Sequence, residues 1–188
     1  SAIYVWSNDE KEVLSNKFGC KIKVIGHPWH NFWENKIPKE NAYNKFIKIT
    51  KESKKNILIA DQNSEKWLFY FKPIKELIIE KKEWNFWFRF HPTTTNKSFI
   101  ENYFPFHHSN LSINYVNDYP LPIILKKMDI IVTLDSAIGL EAKLNGVKTI
   151  FLHPRANFTE RNLITKKYAY FADNKNKIYR IINETKKS

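Results

Sequence analysis

A short polar turn that opens directly onto a helix is the first place in this sequence where chemistry is expected. Asp135 and Ser136 follow a hydrophobic strand pattern and precede a helical pattern that carries Gly139 and Glu141. The first backbone N–H groups of a helix lack partners within the helix and lie at the positive end of its dipole, so they attract anions. Glu141, about one turn inside the helix, adds a carboxylate next to this turn. These residues predict a site for a sugar nucleotide.

A purely structural interpretation explains part of this pattern. Ser136 as a helix N-cap contributes about 1 kcal/mol, and Gly146 marks the end of the same helix. Gly139 leaves room for a ligand to approach the first turn without meeting a Cβ. The capping interpretation accounts for Ser136 and Gly146 without a ligand, but it does not account for Glu141.

Two more polar signatures follow strand-like segments earlier in the chain. Asp61 and Gln62 come directly after the apolar residues 56–60, and His91-Pro92 follows the strongly hydrophobic residues 85–90. Apolar side chains on both faces of residues 85–90 favour a strand that is covered on both sides. A histidine at the end of a strand can donate a hydrogen bond to a phosphate oxygen and so stabilise the charge of a departing nucleotide.

The elements that must position these residues alternate between strand and helix from residue 56 to residue 152. That alternation predicts an α/β fold, with a Rossmann-like, mostly parallel sheet flanked by helices. In such sheets ligands bind outside the carboxyl ends of the strands, so the three signatures are expected at one edge. Pro73 predicts a kink or two separate helices within residues 65–82. The spans 158–167 and 174–187 are predicted to be helical, and a short strand is expected between them.

Composition and net charge limit the classes of protein to which this chain can belong. Of the 188 residues, 43% are hydrophobic and 15% aromatic, which indicates a globular domain with a sizeable core. The net charge is +12, but the excess is scattered lysine with little arginine, so a nucleic-acid partner is not expected. Weak attraction to an anionic membrane surface fits this charge better. The single cysteine, Cys20, suits a reducing compartment, and we expect a cytoplasmic protein at or near the inner face of the membrane.

With these motifs in place, the sequence resembles the C-terminal half of GT-B-fold glycosyltransferases. The nearest group is the bacterial capsule and surface-polysaccharide transferases, including those that use CMP-activated sialic acid or Kdo. The resemblance is carried by Arg89-Phe90-His91-Pro92 and by the serine turn and helix of residues 133–142. Gly26-His27-Pro28 is similar to the short element that joins the two halves of such enzymes.

The resemblance implies a role for each matching residue. His91, with Arg89 and Pro92 beside it, would contact the donor phosphate and stabilise the leaving group. Ser136 and Ala137 would hold phosphate at the helix start, and Glu141 would contact the ribose. The full set of expected donor-binding positions is Asp61, Gln62, Arg89, His91, Pro92, Asp135, Ser136, Ala137, Gly139 and Glu141. The substrates would be a nucleotide-sugar donor and a glycan acceptor, with no metal or other cofactor.

Three alternatives stay open at this point. Asp135-Ser136 through Glu141, together with residues 154–161, partly matches UDP-sugar 2-epimerases of the same fold. CDP-glycerol-type polymer transferases share the histidine and serine signals. The third alternative is a basic interaction module whose motifs are only structural.

The expected domain organisation places the end of a preceding domain or a linker in residues 1–38. Residues 39–188 would then form the nucleotide-sugar-binding domain. The sequence begins Ser1-Ala2 and its only methionine is Met128, so we expect the N-terminal acceptor domain to be missing from this chain. On that expectation, the chain alone would bind nucleotide weakly and catalyse no transfer, and the catalytic base would lie elsewhere.

Overall fold

A six-stranded, entirely parallel sheet forms the centre of the part of the chain that the structure describes. The structure is a computed structural model, and it describes residues 1–26, 40–60, 65–94, 98–104, 108–113 and 115–185. The strand order is β5-β4-β3-β6-β7-β8, and a separate two-stranded parallel sheet pairs β1 with β2. The strands are β1 Ala2–Val5, β2 Lys21–Val24, β3 Lys55–Ala60, β4 Trp84–Arg89, β5 Leu111–Ile113, β6 Ile130–Thr133, β7 Lys148–Phe151 and β8 Ala169–Phe171.

Helices connect successive strands, as parallel pairing requires. A 3₁₀ helix spans Glu65–Phe71 and runs into an α-helix. The α-helices are α1 Asn8–Ser15, α2 Glu40–Glu52, α3 Lys72–Glu80, α4 Ser98–Tyr103, α5 Leu121–Leu125, α6 Ile138–Leu144, α7 Ala156–Thr159, α8 Arg161–Thr165 and α9 Lys175–Glu184.

The two faces of the sheet carry separate hydrophobic clusters, because side chains alternate along each strand. Phe86 and Phe88 of β4 pack on the face that α3 and α9 cover. Trp87, between them, packs on the opposite face with Phe46 of α2 and with helix α5. All three side chains are fully buried, which confirms the prediction that residues 85–90 form a strand covered on both sides.

A buried polar network joins the starts of the central strands. The backbone N–H of Asn56 donates to Asp129 Oδ2 at 2.7 Å, and the Asp129 N–H donates to the Asn56 carbonyl at 2.8 Å. The Asn56 side chain donates to Thr50 O at 2.8 Å and accepts from Trp87 Nε1 at 3.2 Å. The network therefore connects β3 with β4, with the residue that precedes β6 and with the last turn of α2.

The fold class predicted from the sequence is confirmed. Within residues 65–82 the chain forms two helices, and Pro73 lies in the first turn of the second, where its missing N–H costs nothing. The span predicted as one helix over 158–167 is two short helices, α7 and α8, separated at Glu160. No helix among the described residues is long and apolar enough to cross a membrane.

We predict that Asn56→Ala lowers the free energy of unfolding by about 3 kcal/mol, because Trp87 Nε1 and the Thr50 carbonyl would be buried without partners. Asn85→Ala is the matched control. Asn85 is the register partner of Asn56 on β4 but is only half-buried, and it makes one long contact, at 3.4 Å, to Ile49 O. Its loss is expected to stay below about 1 kcal/mol. Urea unfolding measures both values, and equal losses would contradict a special role for the Asn56 network.

Candidate functional site

The crevice between β3 and β6 is where the chain order of the sheet reverses. Strands β4 and β5 lie on one side of β3, and β7 and β8 lie on the far side of β6. At the carboxyl ends of the two central strands, the Thr133 hydroxyl donates to the Ala60 carbonyl at 3.2 Å. Parallel α/β sheets bind ligands outside such a reversal point. Among the described residues, the predicted site residues either end β4, as Arg89 does, or follow β4 or β6, so the topology puts them toward this edge.

Asp61 and Gln62 directly follow β3 and lie outside the described residues. Their predicted contact with a donor stays a prediction. His27 and Pro28 also lie outside that part of the chain, whereas Gly26 is described and adopts a positive φ of 75°.

Arg89 is the last residue of β4, and one nitrogen of its side chain forms hydrogen bonds within the protein. Its Nη1 donates to the carbonyl oxygens of Val116 and Tyr119 at 2.6 and 2.9 Å. The Phe90 N–H donates to Asn117 Oδ1 at 2.9 Å, so the same loop is held at two points. Nη1 therefore fastens residues 116–119 to the end of β4. Contact with a donor phosphate remains a prediction for the rest of the guanidinium group.

Charge links Arg89 to the helix on the other side of the crevice. Burial lowers the pKa of Arg89, and the carboxylates of Glu141 and Asp118 oppose part of that shift. Glu141 is half-buried in α6. The structure therefore brings a residue of β4 and a residue of α6, predicted separately from two motifs, close enough for their charges to interact.

His91 is exposed just beyond β4, and its ring is held by the turn that follows. The Thr93 N–H donates to His91 Nδ1 at 3.3 Å, and the Thr93 hydroxyl lies 2.8 Å from the same atom. A ring nitrogen that accepts from a backbone N–H carries no proton, so in the neutral ring the proton sits on Nε2. Nε2–H is then a suitable donor for a phosphate oxygen. Pro92 is also exposed beside it.

The serine turn starts α6 without a strong cap. Ser136 Oγ accepts from the Ile138 N–H at 3.4 Å, a long contact, and the Ser136 carbonyl accepts from the Gly139 N–H at 3.1 Å. Ala137 is the capping residue and supplies no side-chain bond. The serine is therefore a poor N-cap, and the purely structural explanation of Ser136 is weak. Its hydroxyl and the Ile138 amide keep most of their capacity for another partner.

The Asp135 carboxylate lies near a cation as well as near the start of α6. Arg155 Nε lies 3.6 Å from Asp135 Oδ2, although Arg155 follows β7 and is 20 positions away in sequence. Asp135 also lies near Glu160, whose pKa is raised mainly by burial and further by the charge of Asp135. The Arg155 contact compensates the negative charge that Asp135 brings to an anion site.

Gly139 has a packing role that the sequence did not indicate. A Cβ at this position would lie 2.6 Å from Phe151 Cζ and 3.3 Å from Leu163 Cδ1. The missing side chain lets α6 lie close against β7. This corrects the expectation that Gly139 makes room for a ligand, because the space is filled by the protein's own core.

Aromatic residues around His153 form a part of the edge that sequence reasoning missed. The rings of Trp67 and Tyr70 meet the His153 ring edge-on, at centroid distances of 5.1 and 4.7 Å. His153 Nδ1 accepts from the Arg155 N–H at 3.1 Å. Trp67 and Tyr70 lie in the 3₁₀ helix after β3, so only the pairing of β3 through β6 to β7 brings them to His153. Across the described residues, no group of three or more His, Cys, Asp or Glu side chains is placed to hold a metal ion.

Comparison with protein families identifies the group to which this sequence belongs. The profile of the family described as capsule polysaccharide biosynthesis protein matches residues 73–177, more than half of the 188-residue chain. The chain belongs to this family. The matched segment runs from α3 to the start of α9 and includes His91, Ser136 and Glu141. No curated protein matches the sequence.

Solved structures with the same fold include sugar-nucleotide enzymes. The UDP-GlcNAc 2-epimerase of Methanocaldococcus jannaschii matches with a TM-score of 0.64 at 18% identity, covering 98% of this chain and 55% of that one. The Neisseria meningitidis UDP-GlcNAc 2-epimerase bound to UDP-GlcNAc matches with a TM-score of 0.64 at 16% identity, covering 94% and 50%. The glycotransferase of kitacinnamycin matches with a TM-score of 0.53 at 14% identity, covering 88% and 41%.

These likenesses establish the fold of this family member, which is that of GT-B proteins. The chain spans about half the length of the solved structures that it matches. The identities of 14–18% carry no residue roles across from those proteins.

We predict that Gly139→Ala lowers the free energy of unfolding by about 1–3 kcal/mol, because the new methyl group would overlap Phe151. Gly19→Ala is the matched control, since a Cβ at Gly19 would meet nothing within 4 Å. Its effect is expected within about 1 kcal/mol of zero. Thermal or urea unfolding measures both. A neutral Gly139→Ala variant would contradict the packing explanation of this glycine.

Proposed function

We propose that this chain is the donor-nucleotide-binding part of a glycosyltransferase that builds a bacterial surface polysaccharide or lipooligosaccharide. The donor is a nucleotide-activated sugar, with CMP-sialic acid or CMP-Kdo as the leading candidates. Membership of the capsule polysaccharide biosynthesis family supports the process. The observation that carries the site is the electrostatic interaction between Glu141 of α6 and Arg89 at the end of β4, the strand next to the reversal point of the sheet.

In this proposal the nucleotide lies across the carboxyl ends of β3 and β6. His91 Nε2 donates to a phosphate oxygen and stabilises the negative charge on the leaving nucleotide. The Ser136 hydroxyl and the amides at the start of α6 hold the same phosphate from the other side. Glu141 accepts from the ribose hydroxyls, and its charge interacts with that of Arg89. The binding uses no metal.

The remaining partners follow from the reaction class and the charge. A glycan hydroxyl is the acceptor, and the reaction takes place in the cytoplasm. A net charge of +12 favours loose attachment to the anionic inner face of the membrane.

A second candidate is a UDP-sugar 2-epimerase. It is favoured by the fold match to the Neisseria meningitidis UDP-GlcNAc 2-epimerase, which was solved with UDP-GlcNAc and covers 94% of this chain. Nucleotide preference distinguishes the two candidates. CMP preference supports the transferase, whereas UDP preference supports the epimerase or a UDP-sugar transferase.

A titration of the chain with CMP, CDP, UDP and GDP tests the proposal. We expect CMP to bind best, and at about 100 times Kd it should raise the free energy of unfolding by about 2.7 kcal/mol. His91→Ala should weaken CMP binding roughly tenfold or more, because a charge-assisted hydrogen bond is lost. His108→Ala, at a half-buried histidine before β5, is the control and should leave binding unchanged. No response to any nucleotide, combined with binding to DNA, would refute both enzyme candidates.

The ribose role of Glu141 is tested by comparing CMP with 2′-deoxy-CMP. If the carboxylate accepts from the 2′-hydroxyl, the deoxy nucleotide should bind roughly tenfold or more weakly. Glu141→Gln should reduce this discrimination to below about threefold, since a neutral acceptor makes a weaker bond. NMR titrations give both ratios. Equal affinity of the unmodified protein for the two nucleotides would contradict the assignment.

A further inference from the structure

A second concave region lies beside the crevice, between the N-terminal elements and the helices after β6 and β7. It has a volume of about 870 Å³, within the usual range for small-molecule sites. One wall is formed by β1 and α1, and the other by α6, α7 and α8. The lining includes Tyr4, Trp6 and Ser7 on the first wall and Phe158, Glu160 and Arg161 on the second. We call this region the side cleft.

Aromatic rings are exposed on both walls of the side cleft. Phe158 is 84% exposed, which is unusual for a residue of its size, and Tyr4 is 59% exposed. A single exposed ring needs no explanation, but two in the lining of one cleft give it apolar surface on both walls. The face of an aromatic ring carries partial negative charge, so it attracts the polarised C–H groups of a pyranose ring.

Glu160 supplies a carboxylate at the same place. It is half-buried between α7 and α8, lines the side cleft and lies near Asp135. Burial and the charge of Asp135 both raise its pKa, so ionisation of Glu160 is less favourable in the folded protein than in the unfolded chain. A carboxylate kept in such surroundings beside a cleft is typical of a ligand-binding position.

The walls of the side cleft are fixed by contacts within the protein. The Glu10 N–H donates to Ser7 Oγ at 3.2 Å, and Glu10 Oε2 accepts from the Ser7 N–H at 3.1 Å, which forms a capping box at the start of α1. Lys166, just after α8, contacts Glu12 of α1 at 3.0 Å and so bridges the two walls. These contacts order the start of α1 and link it to the opposite wall through a solvent-exposed ion pair.

The side cleft and the nucleotide crevice share structural elements. Leu140 of α6 lines the side cleft, and the same helix begins at the serine turn that faces the nucleotide. Asp135, directly before Ser136, is the residue whose charge reaches Glu160. A ligand in the side cleft would therefore lie next to a donor bound in the crevice.

We propose that the side cleft binds a neutral pyranose unit of the acceptor glycan, stacked on Phe158 and Tyr4, with a sugar hydroxyl donating to Glu160. This assignment deepens the proposed function and rests on it for the identity of the ligand as acceptor. Four charged side chains line the cleft, the acids Glu10 and Glu160 and the bases Lys17 and Arg161, and their formal charges cancel, which favours a neutral sugar over a charged one. Neutral hydroxyls can donate to the carboxylates and accept from the cationic groups.

The test is an NMR titration of the 188-residue chain with methyl glycosides of glucose, galactose and N-acetylglucosamine. Backbone signals of Tyr4, Phe158 and Glu160 should shift, with Kd in the roughly millimolar range expected for one sugar unit. Phe158→Ala and Glu160→Gln should each weaken binding roughly tenfold. Tyr168→Ala and Glu184→Gln, at exposed positions outside the side cleft, are the matched controls and should bind as the unmodified protein does.

The Gln variant is not expected to unfold the protein. Because the pKa of Glu160 is raised in the folded state, its ionised form works against folding once the pH exceeds that pKa, and its stabilising contribution exists only at lower pH. At neutral pH, Glu160→Gln should therefore leave the free energy of unfolding unchanged or higher. Lost saccharide binding in a fully folded variant then reports on the cleft.

The outcomes separate this inference from the proposed function. Binding of CMP without any glycoside response, or glycoside binding that neither variant weakens, would overturn the side-cleft assignment and leave the nucleotide proposal standing. Tighter binding of methyl N-acetylneuraminic acid than of every neutral glycoside would also overturn it. Glycoside binding that both variants weaken, in a chain that binds no nucleotide, would support the saccharide site and refute the donor proposal.

Discussion

The burial of Asn56 and Asp129 in an otherwise apolar sheet is the constraint on which the rest of the structure depends. Buried polar groups need partners, and those of Asn56 come from different elements: Thr50 at the end of α2, Trp87 on β4 and the Asp129 carboxylate ahead of β6. An unpaired group would cost about 1–3 kcal/mol, so other arrangements of these elements are disfavoured. This network sets β3 between β4 and β6, and that placement creates the crevice at the opposite edge.

The crevice is built from charges that already have partners within the protein. Arg89 is held by two carbonyl groups and lies near Glu141 and Asp118, while Asp135 pairs with Arg155. Arg89 Nη1 is held by its two hydrogen bonds before any ligand binds, which reduces the ordering cost for that side chain. The Asp135–Arg155 pair is longer, and its arginine is largely exposed to solvent. The His91 ring is exposed, and the Ser136 hydroxyl accepts one long hydrogen bond.

Helix α6 has a central position in this arrangement. Its start faces the crevice, Leu140 lines the side cleft, and Gly139 lets the helix lie against Phe151 of β7. A helix that is close-packed at its first turn cannot shift without disturbing the sheet. The geometry of both concave regions therefore depends on one packing contact.

The sequence by itself determined the order of strands and helices and showed that His91, Ser136 and Glu141 all come after strands, because hydrophobic periodicity is local and all parallel strands share one carboxyl edge. Only the tertiary structure decided which of the predicted site residues also make contacts within the protein. The partners of Arg89 lie 27 and 30 positions away, and the neighbour of Gly139 lies on β7. The Arg155 contact to Asp135 and the place of Glu160 in the side cleft likewise join residues from different strands. Such contacts depend on how elements pack together, and no local pattern in the chain encodes them.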